Sequence, residues 1–179
     1  MTLNLNEILS ENNITLAVIP PEKFVDKRLE ILKQLDKNFN RIAYVSLNKI
    51  ILPLRRELSN NDIDTNKLYF IDAVTKTAIP SPPKITNCIY VTSPNDLTKI
   101  SISITKVMHN FDPDCFFFDS LSTLLIYENV TITSQFIHSF VNKINAFGTK
   151  CVLTCLEGEK EKQLIRNLSL LIDKVISDI

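Results

Sequence analysis

Hydrophobic positions along this chain follow two alternating patterns. Short unbroken apolar runs at Ile14–Ile19, Ile42–Ser46, Leu68–Ile71, Cys88–Val91, Cys115–Phe118 and Cys151–Thr154 read as strands. Between them, apolar residues recur three and four apart, the spacing of one helix face. That pattern predicts helices over Pro21–Phe39, Ile51–Leu58, Thr131–Phe147 and Glu159–Leu170. A further helix starts at Ser93-Pro94-Asn95-Asp96, where Ser93 reads as the cap, Pro94 as the first helical residue and Asp96 as the acid of a capping box. Gly148 falls where a left-handed cap would end the helix before it. Three prolines between Lys76 and Lys84 predict an irregular loop, and Asp173–Ser177 a closing strand.

Strand and helix alternate with connections too long for hairpins. The expected fold is α/β: a three-layer, doubly wound, mostly parallel sheet formed by one domain over residues 1–179. The run Cys115-Phe116-Phe117-Phe118-Asp119 is apolar without alternation, as in a strand covered on both faces, and belongs at the centre of the sheet.

Composition narrows the function classes. Lys plus Arg and Asp plus Glu number 20 each, so net charge is zero and no basic stripe suits a nucleic acid. The short clusters Lys27-Arg28 and Arg55-Arg56 are expected on solvated helix faces. No apolar run is long enough for a membrane span, and Met1–Glu7 lacks the features of a signal peptide, so a cytoplasmic location is expected. Cys151 and Cys155 lie about 13 Å apart along a strand, too far to share a metal, and are expected to be buried free thiols. His138 falls off the apolar stripe of its helix and is expected at the surface.

The segment Phe116-Phe117-Phe118-Asp119-Ser120-Leu121-Ser122-Thr123-Leu124-Leu125 resembles the Walker B strand and following turn of KaiC-like members of the RecA superfamily. Ile42–Lys49 and Lys67–Asp72 are similar to the next strands of that family, and Phe136–Thr154 to the helix and strand after Walker B. Thr154 then falls near a polar sensor position. The chain also resembles uncharacterised archaeal proteins that carry such a domain without a phosphate loop. The resemblance implies a RecA-like core and a remnant nucleotide site at Asp119, Ser120 and Thr154, with Ser46 and Asn48 lining the same edge.

The residues an ATPase needs are missing. A phosphate loop wraps phosphate oxygens in backbone N–H groups and needs glycine to do so. After the first strand stands Ile19-Pro20-Pro21-Glu22-Lys23-Phe24 instead, and the chain's two glycines, Gly148 and Gly158, lie far downstream. The positions matching the family's pair of catalytic glutamates are Asn48 and Lys49, neither of which can act as a carboxylate base. Asp119 is expected either to meet Mg²⁺ through water or to accept hydrogen bonds from neighbouring backbone N–H groups. The expectation is a non-hydrolysing domain with no catalytic residues, no cofactor, no resident metal and no bound nucleotide. Its partner is another protein or a second copy, with the apolar stretch Leu121–Tyr127 either a contact or buried. The rival expectation is a nucleotide or small-anion binder with a concave polar pocket at the C-terminal strand edge.

Overall fold

The structure, a computed structural model, describes residues 4–177. Met1–Leu3, part of the segment read for a targeting signal, lie outside the described residues. The elements run α1 (Leu5–Glu11), β1 (Ile14–Ile19), α2 (Phe24–Asn38), β2 (Ile42–Ser46), α3 (Ile51–Asn60), β3 (Leu68–Asp72), α4 (Thr75–Ala78), β4 (Cys88–Tyr90) and α5 (Leu97–Asn110). They continue with β5 (Cys115–Asp119), α6 (Leu121–Tyr127), α7 (Val130–Phe147), β6 (Lys150–Leu156), α8 (Glu159–Leu168) and β7 (Lys174–Ile176). All seven strands are parallel, in the order β4-β3-β2-β5-β6-β1-β7. Helices cover both faces: α1, α2 and α3 on one, α5 to α8 on the other. The doubly wound parallel sheet expected from the sequence is what is observed.

The central place of β5 follows from its composition. Phe117 packs against Tyr44 on the α2–α3 side, with ring centroids 5.2 Å apart. Phe116 and Phe118 pack on Phe140 of α7 on the other side, at 5.6 and 5.4 Å. A strand apolar at every position needs cover on both faces, and the middle of the sheet supplies it. From β2 the chain moves outward through β3 and β4, whereas from β5 it moves the opposite way to β6. The β2–β5 boundary is therefore a topological switch point, the kind of place where open α/β sheets bind ligands beyond the C-terminal strand ends.

Local differences from the sequence reading have simple causes. The cap of α5 is Asp96, whose side chain accepts from the Lys99 N–H at 3.1 Å, while the Ser93 hydroxyl turns to Asn95. The Lys76–Lys84 loop begins inside α4, because Asp72 caps that turn by accepting from the Val74 and Thr75 N–H groups at 2.8 and 2.9 Å. The stretch Leu121–Tyr127 is α6, with Leu121 to Leu125 buried and Ile126 and Tyr127 exposed. All four cysteines are free, and burial pushes the Cys155 thiol up to about 12. No helix among the described residues is long and apolar enough to cross a membrane.

Gly148 ends α7 at φ 66°, donating to the Asn145 carbonyl at 3.1 Å. A Cβ there would meet nothing within 4 Å, so replacement strains the backbone alone. Gly148→Ala is expected to lower stability by about 1–2 kcal/mol in urea denaturation. An unchanged midpoint would show that the cap tolerates a side chain.

Candidate functional site at the switch point

Parallel register places Asp72, Ser46 and Asp119 in one row across β3, β2 and β5 on the α2–α3 side. Thr154 of β6 and Ala17 of β1 continue it. The three residues expected from the sequence, Asp119, Ser120 and Thr154, are thus brought together at this strand edge, with Ser46 beside them. Each is already engaged within the fold. The Thr154 hydroxyl donates to the Phe118 carbonyl at 3.1 Å, and the Ser46 hydroxyl to the Lys49 carbonyl at 2.8 Å. Ser120 lies 3.4 Å from the Thr123 hydroxyl, and the Asp119–Ser120 peptide is cis.

Asp119 is fully buried, and its partners are not the backbone N–H groups expected. The Tyr44 hydroxyl donates to its Oδ2 at 2.5 Å. Arg28 Nη1 donates to the same oxygen at 3.4 Å and to the Tyr44 oxygen at 3.1 Å. Asn48 Nδ2 donates to Oδ1 at 3.4 Å from the solvent side. The reason is geometric: Asp119 points along the face over which α2 crosses, so side chains from that helix reach it first. Arg28 leaves that helix at a point where Ile31, Leu32 and Leu35 also face the sheet.

Arg28 corrects the sequence reading of a solvated Lys27-Arg28 pair. Lys27 is half-buried and bonded to Glu30 at 2.8 Å, and Arg28 is 1% exposed. Its Nη2 lies 2.7 Å from Glu57 of α3 and forms an ion pair with it. Glu57 in turn accepts from Lys49 Nζ at 2.8 and 2.9 Å. Two cations and two anions thus run outward from Asp119 to Lys49. Burial opposes the Arg28 charge, yet the neighbouring Tyr44, Asp119 and Glu57 hold its pKa above the ordinary value. Burial also pushes the Tyr44 hydroxyl well up, with Asp119 adding to it, so the phenol keeps its proton. Glu57 is lowered: burial opposes its charge, but hydrogen bonding and charge from Lys49 and Arg28 prevail.

Above this cluster the surface offers little. The depression nearest the cluster is a cavity of about 500 Å³ lined by Lys49, Ile50, Pro53, Leu54 and Glu57, and its wall is chiefly apolar. Neither Asp119, Ser120 nor Thr154 lines it. Its position on α3 differs from the concave polar pocket expected at the strand ends, where Arg28, Tyr44 and Asn48 instead meet Asp119. The turn after β1 is a 3-10 turn, Pro21–Lys23. Its prolines have no N–H, and the Lys23 and Phe24 N–H groups donate to the Pro20 and Pro21 carbonyls.

Comparison with known proteins fits this architecture. A KaiC-like protein from the hyperthermophilic archaeon Pyrococcus horikoshii OT3 superposes with a TM-score of 0.64 at 14% identity, over 93% of this chain and 71% of that one. The class is therefore an α/β domain with the fold of KaiC-like, RecA-type proteins. Residues 53–178 match the family of unknown function DUF7504, and the chain belongs to that family. Glu57, Asp119 and Thr154 fall inside the match, whereas Arg28 and Tyr44 precede it. No curated protein matches the sequence.

Removing one member of a buried pair leaves the other uncompensated. Asp119→Asn and Arg28→Met are each expected to cost about 3–5 kcal/mol in urea denaturation. The double variant should lose less than the sum, with a coupling of about 1–3 kcal/mol. Strict additivity would mean that the two side chains do not act together. Because the folded pKa of Glu57 is lowered, its stabilisation is full above the unfolded carboxylate range, about 4.3, and is lost as pH falls through the folded value. The stability gap between the native chain and Glu57→Gln should therefore be open at neutral pH and close below about pH 4. A gap that widens in acid would contradict the ion pairing.

Proposed function

We propose that this domain keeps the RecA/KaiC-like frame without its ATPase chemistry, and works as a protein-interaction or regulatory module. The observation that carries the reading is the Arg28 guanidinium at Asp119. In the family this chain resembles, the acid ending the central strand faces a cation bound with nucleotide. Here a cation belonging to the chain is paired with it, so a divalent ion would have to displace a buried ion pair to reach the carboxylate. The turn after β1 supports the same reading, since two of its amides are absent and two are engaged. Lys49, at a position expected for a catalytic glutamate, is paired with Glu57. An ammonium at that position cannot take a proton from water aimed at a γ-phosphate, nor can the Asn48 amide beside it. On this reading the domain is cytoplasmic, and its ligand is another protein or a second copy of itself.

The discriminating measurement is thermal unfolding with ATP, ADP or GTP plus Mg²⁺. A ligand at 100 times its Kd adds about 2.7 kcal/mol, a shift of several degrees for a domain of this size. The expected result is no shift at millimolar nucleotide. A Mg²⁺-dependent rise in Tm would overturn the reading and favour the rival, in which Asp119, Ser120 and Thr154 are a working nucleotide or anion site.

A further inference from the structure

The two helices facing away from the switch point have an unusual charge pattern. Neither α5 nor α7 contains a single Asp or Glu, although the whole chain is neutral. Both run antiparallel to the sheet strands, so they lie parallel, side by side. Two contacts join them along their length. Lys143 Nζ of α7 donates to the Ser101 hydroxyl at 2.7 Å and the Thr105 hydroxyl at 3.1 Å, and the His109 and Phe147 rings meet edge-on at 5.1 Å. Towards their N-terminal ends the helices part around an open cavity of about 430 Å³, its wall formed by Leu97, Ile102, Ile132 and Phe136 with Thr98, Ser101 and Gln135 between them. Ile102 is 49% exposed and Ile132 39%.

We infer that this groove docks an acidic, amphipathic helix of a partner protein. A groove between two parallel helices matches the ridge of a third, and exposed isoleucines accept apolar anchors spaced three and four apart. Charge selects the partner. The Lys143 ammonium rests on hydroxyl and carbonyl oxygens with no carboxylate, and Lys106, one turn along α5, is exposed. The acids that flank the two helices in sequence lie in loops at their ends. Asp96 is held by Lys99 at 2.8 Å, Asp112 by Arg41 at 3.0 Å, and Glu128 precedes α7. An acidic residue about two turns beyond an anchor on the docked helix would meet Lys143 and Lys106, where a basic one would be repelled. The inference builds on the interaction-module reading, yet a nucleotide-induced shift would remove that reading without touching the assay below.

The test uses fluorescence anisotropy on the full chain with a labelled amphipathic peptide of Leu and Glu, roughly 18 residues long. A second peptide replaces every Glu with Lys, and vesicles of phosphatidylserine form a third arm. Binding of the acidic peptide is expected to weaken as salt rises. It should fall at least about tenfold for the basic peptide, and likewise for the acidic peptide on Ile102→Asp or Lys106→Glu. Lys84→Glu, on the loop before β4, should change nothing, and thermal melts would verify that each variant folds. Equal binding of both peptides, no acidic-peptide binding at roughly 100 μM, indifference to Ile102→Asp, or binding to vesicles alone would each overturn the inference.

Discussion

A guanidinium and a carboxylate taken out of water together dictate much of what surrounds them. Each ion alone would carry a desolvation penalty of several kcal/mol, so neither is tolerable without the other. Arg28 is 1% exposed and Asp119 fully buried, and their separation fixes how α2 sits over the β2–β5 boundary. Tyr44, on the neighbouring strand, must present its hydroxyl between them, which ties the strand register to the helix position. Glu57 then balances the second face of the guanidinium, and Lys49 balances Glu57. Charge is passed outward in steps of alternating sign until it reaches water.

The other side of the sheet is held by different means. There Phe116 and Phe118 lie beneath Phe136 and Phe140, and Ile137, Val141 and Ile144 extend the contact along α7. Dispersion and burial suffice, without a charged group in the core. The domain therefore has one face that specifies position through a few directional bonds and one that supplies adhesion through shape.

Much of this was legible beforehand, and unevenly so. Strands buried on both faces have runs of apolar residues that admit few other readings, which is why β1, β2 and β5 fall where the sequence puts them. Short helices are harder: α1 buries Leu5 and Leu9, with Ile8 partly covered beside them, too few positions to make a period. The sequence places Asp119, Ser46 and Thr154 along one strand edge, although β6 runs two residues past Thr154 to Leu156. The counterion of Asp119 was not foreseen. Arg28 occupies an apolar stripe, one turn before Ile31 and Leu32, and a cation in that register was the available sign that something buried would meet it. Tyr44 gave no such sign, because a tyrosine in a strand is ordinary until its neighbour across the sheet is known.

A cation that belongs to the chain differs in one respect from any cation that is bound. It has no dissociation constant, so its occupancy does not vary with concentration, time or the energy state of the cell. On the proposed reading, a site filled by Arg28 has no empty form and no spent form, and the surface it supports is presented continuously from the moment the chain folds. If the proposal holds, control over such a molecule passes from turnover to supply: how much of it is made, how long it lasts, and what competes for its surface.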